Sequence, residues 1–413
     1  MDNIIESFEY FDYKPSNTEN FNDVGSEFNI SVLNEDIVTQ PCKSLLVIRG
    51  TVSVSRKTTN ADSTTTVSIA TTIDSNKIHF VNNGILHLFD RIDFYIGDGK
   101  IDTIRKPGIS TLMKGLVSFE RDFRYNTAGW KINSNSHANI LNQERYFYIT
   151  IPLSMLMGFF EDHKSFLYRV PQKLTFYRNT SDNYNNVLFT DTTTGFTGVI
   201  NLTEIVWRVP QIKFNIGYET QLRKEILSDK SYELKFRHWF YQNTTPARGT
   251  EFTWDFPVAY SKCKYALFAF QTDRDNKPNT DNSCFDFCDL ENVQVLLNNN
   301  IYYPRERLNL NINQLKCGNI YHMFNRFKNS YYTHEEEMEP LIDYNTFLTK
   351  YPVIAIDCSH QPDVIKESLV NIRIMFNWRQ TLPEKTIIHC VMIMDKKAVY
   401  NPLSNKVISP TGV

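Results

Sequence analysis

Cys284 and Cys288, enclosing Phe-Asp-Phe, are the chain's nearest approach to a metal-ligand spacing. A structural zinc site takes four nitrogen or sulfur ligands, usually as two close pairs. No second pair follows at a suitable distance, although Cys317 and His322 lie downstream. The two thiols therefore read as small apolar groups flanking a strand. Glu335, Glu336, Glu337 and Glu339 gather acids without the Gly-centred alternation of oxygen ligands that calcium needs, and read as a solvated loop or a helix flank. Asp93, Asp98 and Asp102 surround one predicted hairpin and could serve as a glycosidase carboxylate pair, although Asp98 is also what a tight turn prefers. His238 stands beside Trp239, Phe240 and Tyr241 and reads as packed among aromatics rather than poised as a base. With Trp254 these aromatics could make a sugar-stacking platform, but the core aromatics of a sandwich have the same sequence appearance.

There is no Gly-rich phosphate loop, Gly-x-Ser-x-Gly elbow or His-Glu-x-x-His helix. The sequence thus assigns no catalytic, cofactor-binding or metal residue, and predicts a protein that is not an enzyme.

The elements that would position these residues are mostly strands. Phe28, Ile30 and Val32 alternate with polar residues, and a longer strand runs from Leu45 to Ser55. Ile92–Ile96, Gly97-Asp98-Gly99 and Lys100–Ile104 make a hairpin ended by Pro107-Gly108. Helical spacing follows from Ile109 to Asp122 through Leu112, Leu116 and Phe119. A strand at Tyr146–Ile151, a short helix opened by Pro152 and Ser154, and strands at Lys173–Tyr177 and Val199–Trp207 complete the first half.

The second half replays this order. A hairpin at 293–303 matches Val293 with Ile92, and a helix carries Ile320, Met323, Phe324 and Phe327. A short helical piece from Asp343 to Leu348 precedes a strand at Val353–Ile356, and a strand at Val370–Phe376 matches Ile372 with Leu174. Two such repeats fit tandem antiparallel sandwiches, of which the eight-stranded jelly roll suits the strand count and long connections. The predicted fold is all-β with short helices in loops: an N-terminal arm over 1–23, a first jelly roll over 24–210 and a second over 211–413 with a C-terminal tail. The arm, with Phe8, Tyr10, Phe11 and Tyr13 among acids, is expected to be mobile in the free subunit and to order against a neighbour or its own body. The polar stretches 56–66, 178–197 and 272–283 are expected to be surface loops.

Composition agrees. Of 413 residues, 41% are hydrophobic and 14% aromatic, which favours a strand-rich globular protein. The net charge is −2 and the first 23 residues are acidic, so autonomous nucleic-acid binding, which needs a basic face, is not expected. No basic n-region or apolar h-region opens the chain and no apolar run suits a bilayer, so neither secretion nor a transmembrane segment is expected. The sequons at Asn29, Asn179, Asn201 and Asn243 then reflect an Asn/Thr-rich chain, and the 7 scattered cysteines suit reduced thiols in cytoplasm or nucleus.

Several stretches carry a family likeness: Ile151-Pro-Leu-Ser-Met-Leu-Met-Gly-Phe-Phe-Glu-Asp-His163, Leu174-Thr-Phe-Tyr-Arg178, Glu204-Ile-Val-Trp-Arg-Val-Pro210, Ala269-Phe-Gln-Thr272, Phe285-Asp-Phe-Cys-Asp-Leu-Glu-Asn-Val-Gln-Val-Leu-Leu-Asn298 and Tyr351-Pro-Val-Ile-Ala-Ile-Asp-Cys-Ser359. The chain resembles, roughly from residue 140 to 400, double jelly-roll major capsid proteins of the Polinton/Maverick and adintovirus type, virus-like proteins of invertebrate genomes in the adenovirus hexon lineage. The resemblance implies a homotrimeric, pseudo-hexagonal tile of an icosahedral shell, found in the virion. It implies neighbouring capsomers as partners, minor capsid proteins met through the arm, a separate packaging ATPase, and no active site or cofactor to carry over. Two alternatives stand beside it: a carbohydrate-binding or carbohydrate-active paired sandwich, and a domesticated, capsid-derived host protein.

Overall fold

A computed structural model of the chain describes residues 4–16, 21–33, 37–59, 65–69, 78–119, 127–130, 145–180, 187–189, 196–256, 263–275, 277, 280–298, 301–333, 339–361 and 370–408. Two-residue periodicity builds the strands. In Glu27–Val32, Phe28, Ile30 and Val32 are buried while the residues between them are not. The first roll is β1 (Ile5–Tyr13), β2 (Glu27–Val32), β3 (Leu45–Thr59), β4 (Phe89–Ile96), β5 (Gly99–Arg105), β6 (Tyr146–Pro152), β7 (Gln172–Arg178) and β8 (Phe196–Phe214). The second is β9 (Tyr232–Thr244), β10 (Glu251–Asp255), β11 (Cys263–Thr272), β12 (Leu290–Leu297), β13 (Ile301–Tyr303), β14 (Ile354–Asp357), β15 (Ile372–Trp378) and β16 (Thr386–Asn401).

Strand order repeats between the halves. The first roll pairs β1-β8-β3-β6 in one sheet and β2-β7-β4-β5 in the other, and the second pairs β9-β16-β11-β14 and β10-β15-β12-β13. Every named pairing is antiparallel. The two sheets of each roll face one another across aromatic cores, as with Phe94 against Trp207 and Phe268 against Phe376. Among the described residues five α-helices lie in the connections: α1 (Pro107–Ser118), α2 (Gly158–Asp162), α3 (Ile216–Leu227), α4 (Gly318–Tyr332) and α5 (Tyr344–Thr349).

Residues 5–13 form a strand antiparallel to β8 of the same chain, from Ile5↔Phe214 to Tyr13↔Trp207, so that this part of the arm lies against its own body. Ladder hydrogen bonds and the Asp12–Arg208 ion pair order the segment on its own body. The strand β8 runs past the expected boundary at 210 to Phe214, and α3 then leads to β9. Both predicted hairpins form, as β4–β5 and β12–β13, the first turning through Gly97 at φ 54°. Ile92 pairs with Phe176 and Val293 with Phe376, so Leu174 corresponds to Ile374 rather than Ile372, on the same face two residues along.

Other expectations shift. Helix α1 begins at Pro107 itself, whose fixed φ and missing N–H suit a first helical position, and ends at Ser118. The piece opened by Pro152 is a single 3₁₀ turn, Leu153–Met155, followed by α2. Of the 56–66 stretch, β3 continues to Thr59 and pairs with Thr65–Ile69, so those parts are strand rather than loop, and 60–64 lie outside the described residues. Within 178–197, Val187–Phe189 pairs with Ile78–Phe80. The 272–283 connection is irregular, but Asn282 and Ser283 at its end are buried.

Candidate functional site: the junction between the two rolls

Helix α1 is buried along its whole length, because it is wedged between its own roll and the second one. Its Lys114 is 0% exposed. A buried ammonium needs a partner, and Lys114 Nζ donates to Glu161 Oε1 of α2 and, at 3.2 Å, to the Tyr332 hydroxyl of α4. The carboxylate of Glu161 also accepts from the hydroxyls of Tyr331 and Tyr332, each at 2.6 Å. Aromatic faces complete the cage, with Nζ 4.5 Å from the Trp239 ring centroid and 4.8 Å from that of Tyr331. Burial pushes the Lys114 pKa down, and Glu161 opposes it. Burial, and next Glu161, push the Tyr331 phenol well up, so it remains a donor.

Beside this cage Asp162 of α2 takes the Arg237 backbone N–H and Nε, each at 2.8 Å, and its guanidinium lies 3.6 Å from the Tyr331 ring centroid. The strand and α2 approach so closely that a Cβ on Gly158 would lie 1.5 Å from the Arg237 carbonyl oxygen. Asp102 of β5 accepts from the Phe159 backbone N–H at 3.0 Å and meets His238 Nδ1 of β9 at 2.6 Å.

A polar cleft of about 310 Å³ opens farther along the junction, lined by His87 and Asn179 of the first roll and by Tyr241, Gln271, Asn282 and His389 of the second. The Tyr241 hydroxyl meets His389 Nδ1 at 2.7 Å, and His389 Nε2 meets Gln271 Oε1 at 3.1 Å. The Gln271 amide donates to the carbonyls of Asn282 and Cys284, so its oxygen faces the imidazole and Nε2 carries the proton. Burial lowers the pKa of His87 to about 4 and that of His389 to about 3.

The residues singled out by sequence are dispersed. Asp93 lies on the face opposite Asp102, bonded to Thr103 and Arg91, so the two are not a carboxylate pair facing one space. His238 packs near Phe240, but its partner is Asp102, which sequence did not indicate. Trp239, Tyr241 and Trp254 are buried and offer no open stacking face. Cys284 and Cys288 are half-buried, and Cys288 faces the Thr272 hydroxyl at 3.5 Å. Among the described residues no group of three or more His, Cys, Asp or Glu side chains is placed to hold a metal. Glu335, Glu336 and Glu337 lie outside the described residues, and Glu339 is exposed. Lys114, Glu161, Asp162, Arg237, Tyr331 and Tyr332 were missed. The one signal was a lysine inside an apolar helical run, which implies a buried counter-charge.

The arrangement holds no nucleophile–base pair; what it can do is lock one β-sandwich against another. Two sandwiches of the same eight-stranded order, joined by the Arg237–Asp162 ion pair and by the Tyr331 and Tyr332 hydroxyls on Glu161, define a double jelly roll. The chain belongs to the double jelly roll-like domain family, whose pattern matches residues 78–398. Its fold is similar to PBCV-1 VP54, as fitted into a reconstruction of the virophage Sputnik, at 12% identity and a TM-score of 0.58, over 98% of this chain and 97% of that one. The mavirus major capsid protein matches at 8% identity and 0.56, over 97% and 89%, and the Sputnik virophage structure at 9% and 0.56, over 99% and 89%. No curated protein sequence matches this chain.

Proposed function

We propose that this chain is a structural, non-enzymatic major capsid protein: a homotrimeric tile that assembles with its neighbours into the icosahedral shell of a virus or virus-like particle. The observation that carries the reading is the repetition of one strand order in two rolls fixed together by the Lys114–Glu161 and Arg237–Asp162 network. Two rigidly joined equivalent units make each chain a third of a six-unit outline, which supports closure by three copies. We divide the chain after β8, the first roll ending at Phe214, α3 connecting, and the second beginning at Tyr232. The near-zero net charge supports a shell filled by separate machinery rather than by this chain's own grip on nucleic acid; the shell reading itself implies a place in the virion, and the scattered free thiols suit synthesis in cytoplasm or nucleus. Among the described residues no helix is long and apolar enough to cross a membrane.

Light scattering on the purified protein, followed by electron microscopy, tests the reading. The expected particle is three times the 48.3 kDa chain, with a pseudo-hexagonal outline and, at higher concentration, shells or sheets. A monomer at every concentration would overturn it.

A further inference from the structure

The polar cleft between the rolls holds about 310 Å³, close to the size of about 300 Å³ at which small-molecule sites begin. Polar groups reach it from both rolls: His87, Asn179 and Thr180 from the first, Asn243 and Asp275 from the second. His87 is 7% exposed, and its buried Nε2 has no hydrogen-bond partner. A buried polar atom left unpaired is costly, and folded proteins rarely keep one without a use for it. The ring is held where it is. Its backbone carbonyl accepts from the Asn179 amide, and a Cβ on Gly108 would lie 2.5 Å from the imidazole, so only glycine lets the start of α1 approach it.

Charge selects the class of ligand. Lys106, also on the cleft wall, is already engaged: its Nζ lies 2.8 Å from Asp90 and donates to Asn179 Oδ1 at 3.2 Å. An anion would face the Asp275 carboxylate, and a cation would face Lys106 and the positive end of the α1 dipole at Gly108 and Ile109. A neutral molecule meets neither penalty. Asn243 and Thr180 are exposed, and their side chains have no partner among the described residues. An amide and a hydroxyl offer donors and acceptors together, while a carboxylate accepts from several donors at once. Ile109 and Ile387 add an apolar wall. We propose that this cleft is a binding site for a neutral monosaccharide, whose hydroxyls pair with Asn243, Thr180, Asp275 and His87 and whose C–H face lies on Ile109 and Ile387. The site is complete within one chain, so it goes beyond the capsid reading and stands whether or not that reading does. A sugar held there touches both rolls and ties them together.

The test titrates the full-length protein with glucose, galactose, mannose and N-acetylglucosamine, and with inorganic phosphate and putrescine as charged controls. Binding is read by saturation-transfer NMR and by melting curves. At least one of the four sugars is expected to bind saturably and to raise the melting temperature, and neither charged probe to do so. Asn243→Leu and His87→Phe should each weaken that sugar about tenfold, the worth of one or two hydrogen bonds, while the sugar-free protein stays folded. Asn243 is exposed and Thr180→Val offers a second exposed change, so the test survives a His87 variant that fails to fold. No saturable binding by any of the four sugars would overturn the proposal. So would saturation by phosphate or putrescine alone, or sugar binding that is undiminished in the folded variants. Each of these results leaves the oligomeric state, on which the capsid reading is judged, untouched.

Discussion

Lys114 and Glu161 both belong to the first roll, yet the carboxylate that neutralises the buried ammonium is completed by the hydroxyls of Tyr331 and Tyr332 from the second. Folding of one unit and docking of the other are thereby coupled through a single carboxylate. Removing one member of a buried pair leaves the other charge uncompensated, which costs about 3–5 kcal/mol. Glu161→Ala is therefore expected to lower the unfolding free energy by that amount in urea titrations, and Lys114→Met with Glu161→Gln by much less. Equal losses in the single and double variants would contradict the coupling.

Gly158 gives a steric counterpart. A methyl there would have to push the Arg237 carbonyl away, so Gly158→Ala should part α2 from β9 and destabilise the protein by at least about 2 kcal/mol. Gly217 in α3 is the control: an added Cβ would meet only Asn215 Oδ1, at 3.6 Å, and Gly217→Ala should be neutral or slightly stabilising. Melting temperatures of both variants check the contrast.

Three histidines make the fold acid-sensitive. Burial lowers His87 and His163 from 6.5 to about 4 and His389 to about 3. Asp281 and Asp275 act to raise His87 and Lys106 to lower it, while His389 faces His87, Tyr241 and Gln271. The native state keeps these rings neutral, so between pH 6.5 and about 4 the unfolded chain binds protons that the folded one does not. Their contribution is complete above pH 6.5 and is lost as pH falls, by about 1.4 kcal/mol per pH unit for each histidine. Urea midpoints measured from pH 7 to 4.5 should fall accordingly, and His87→Gln with His389→Gln should flatten the slope. An unchanged slope would sink the assignment.

The thiols should be inert while the protein is folded. Burial pushes Cys284 up to about 12, Cys288 to about 11 and Cys263 to about 12, leaving little thiolate at neutral pH. Iodoacetamide at pH 7.5 should label these three only after urea is added, as read by mass spectrometry, and a chelator should leave the melting temperature unchanged. Rapid labelling of native Cys284, or a drop in melting temperature reversed by zinc, would contradict this.

The sequence by itself determined what local chemistry determines. Alternation at Phe28, Ile30 and Val32 specifies a half-buried strand whatever lies opposite, and the Gly97-Asp98-Gly99 turn specifies a hairpin because the bend is made within a few residues. The spacing of Ile320, Phe324 and Phe327 likewise specifies a helix with one buried face. Repetition of these elements was enough to suggest two tandem sandwiches. Only the tertiary structure decided what residues far apart in the chain do together. Residues 5–13 look like a tail because the strand is exposed along both faces, and their role is set by pairing with β8 across the whole first roll. Lys114, Glu161, Tyr331 and Tyr332 are ordinary in sequence; the low-dielectric junction in which they meet, where a charge must find its partner, exists only once both rolls have folded.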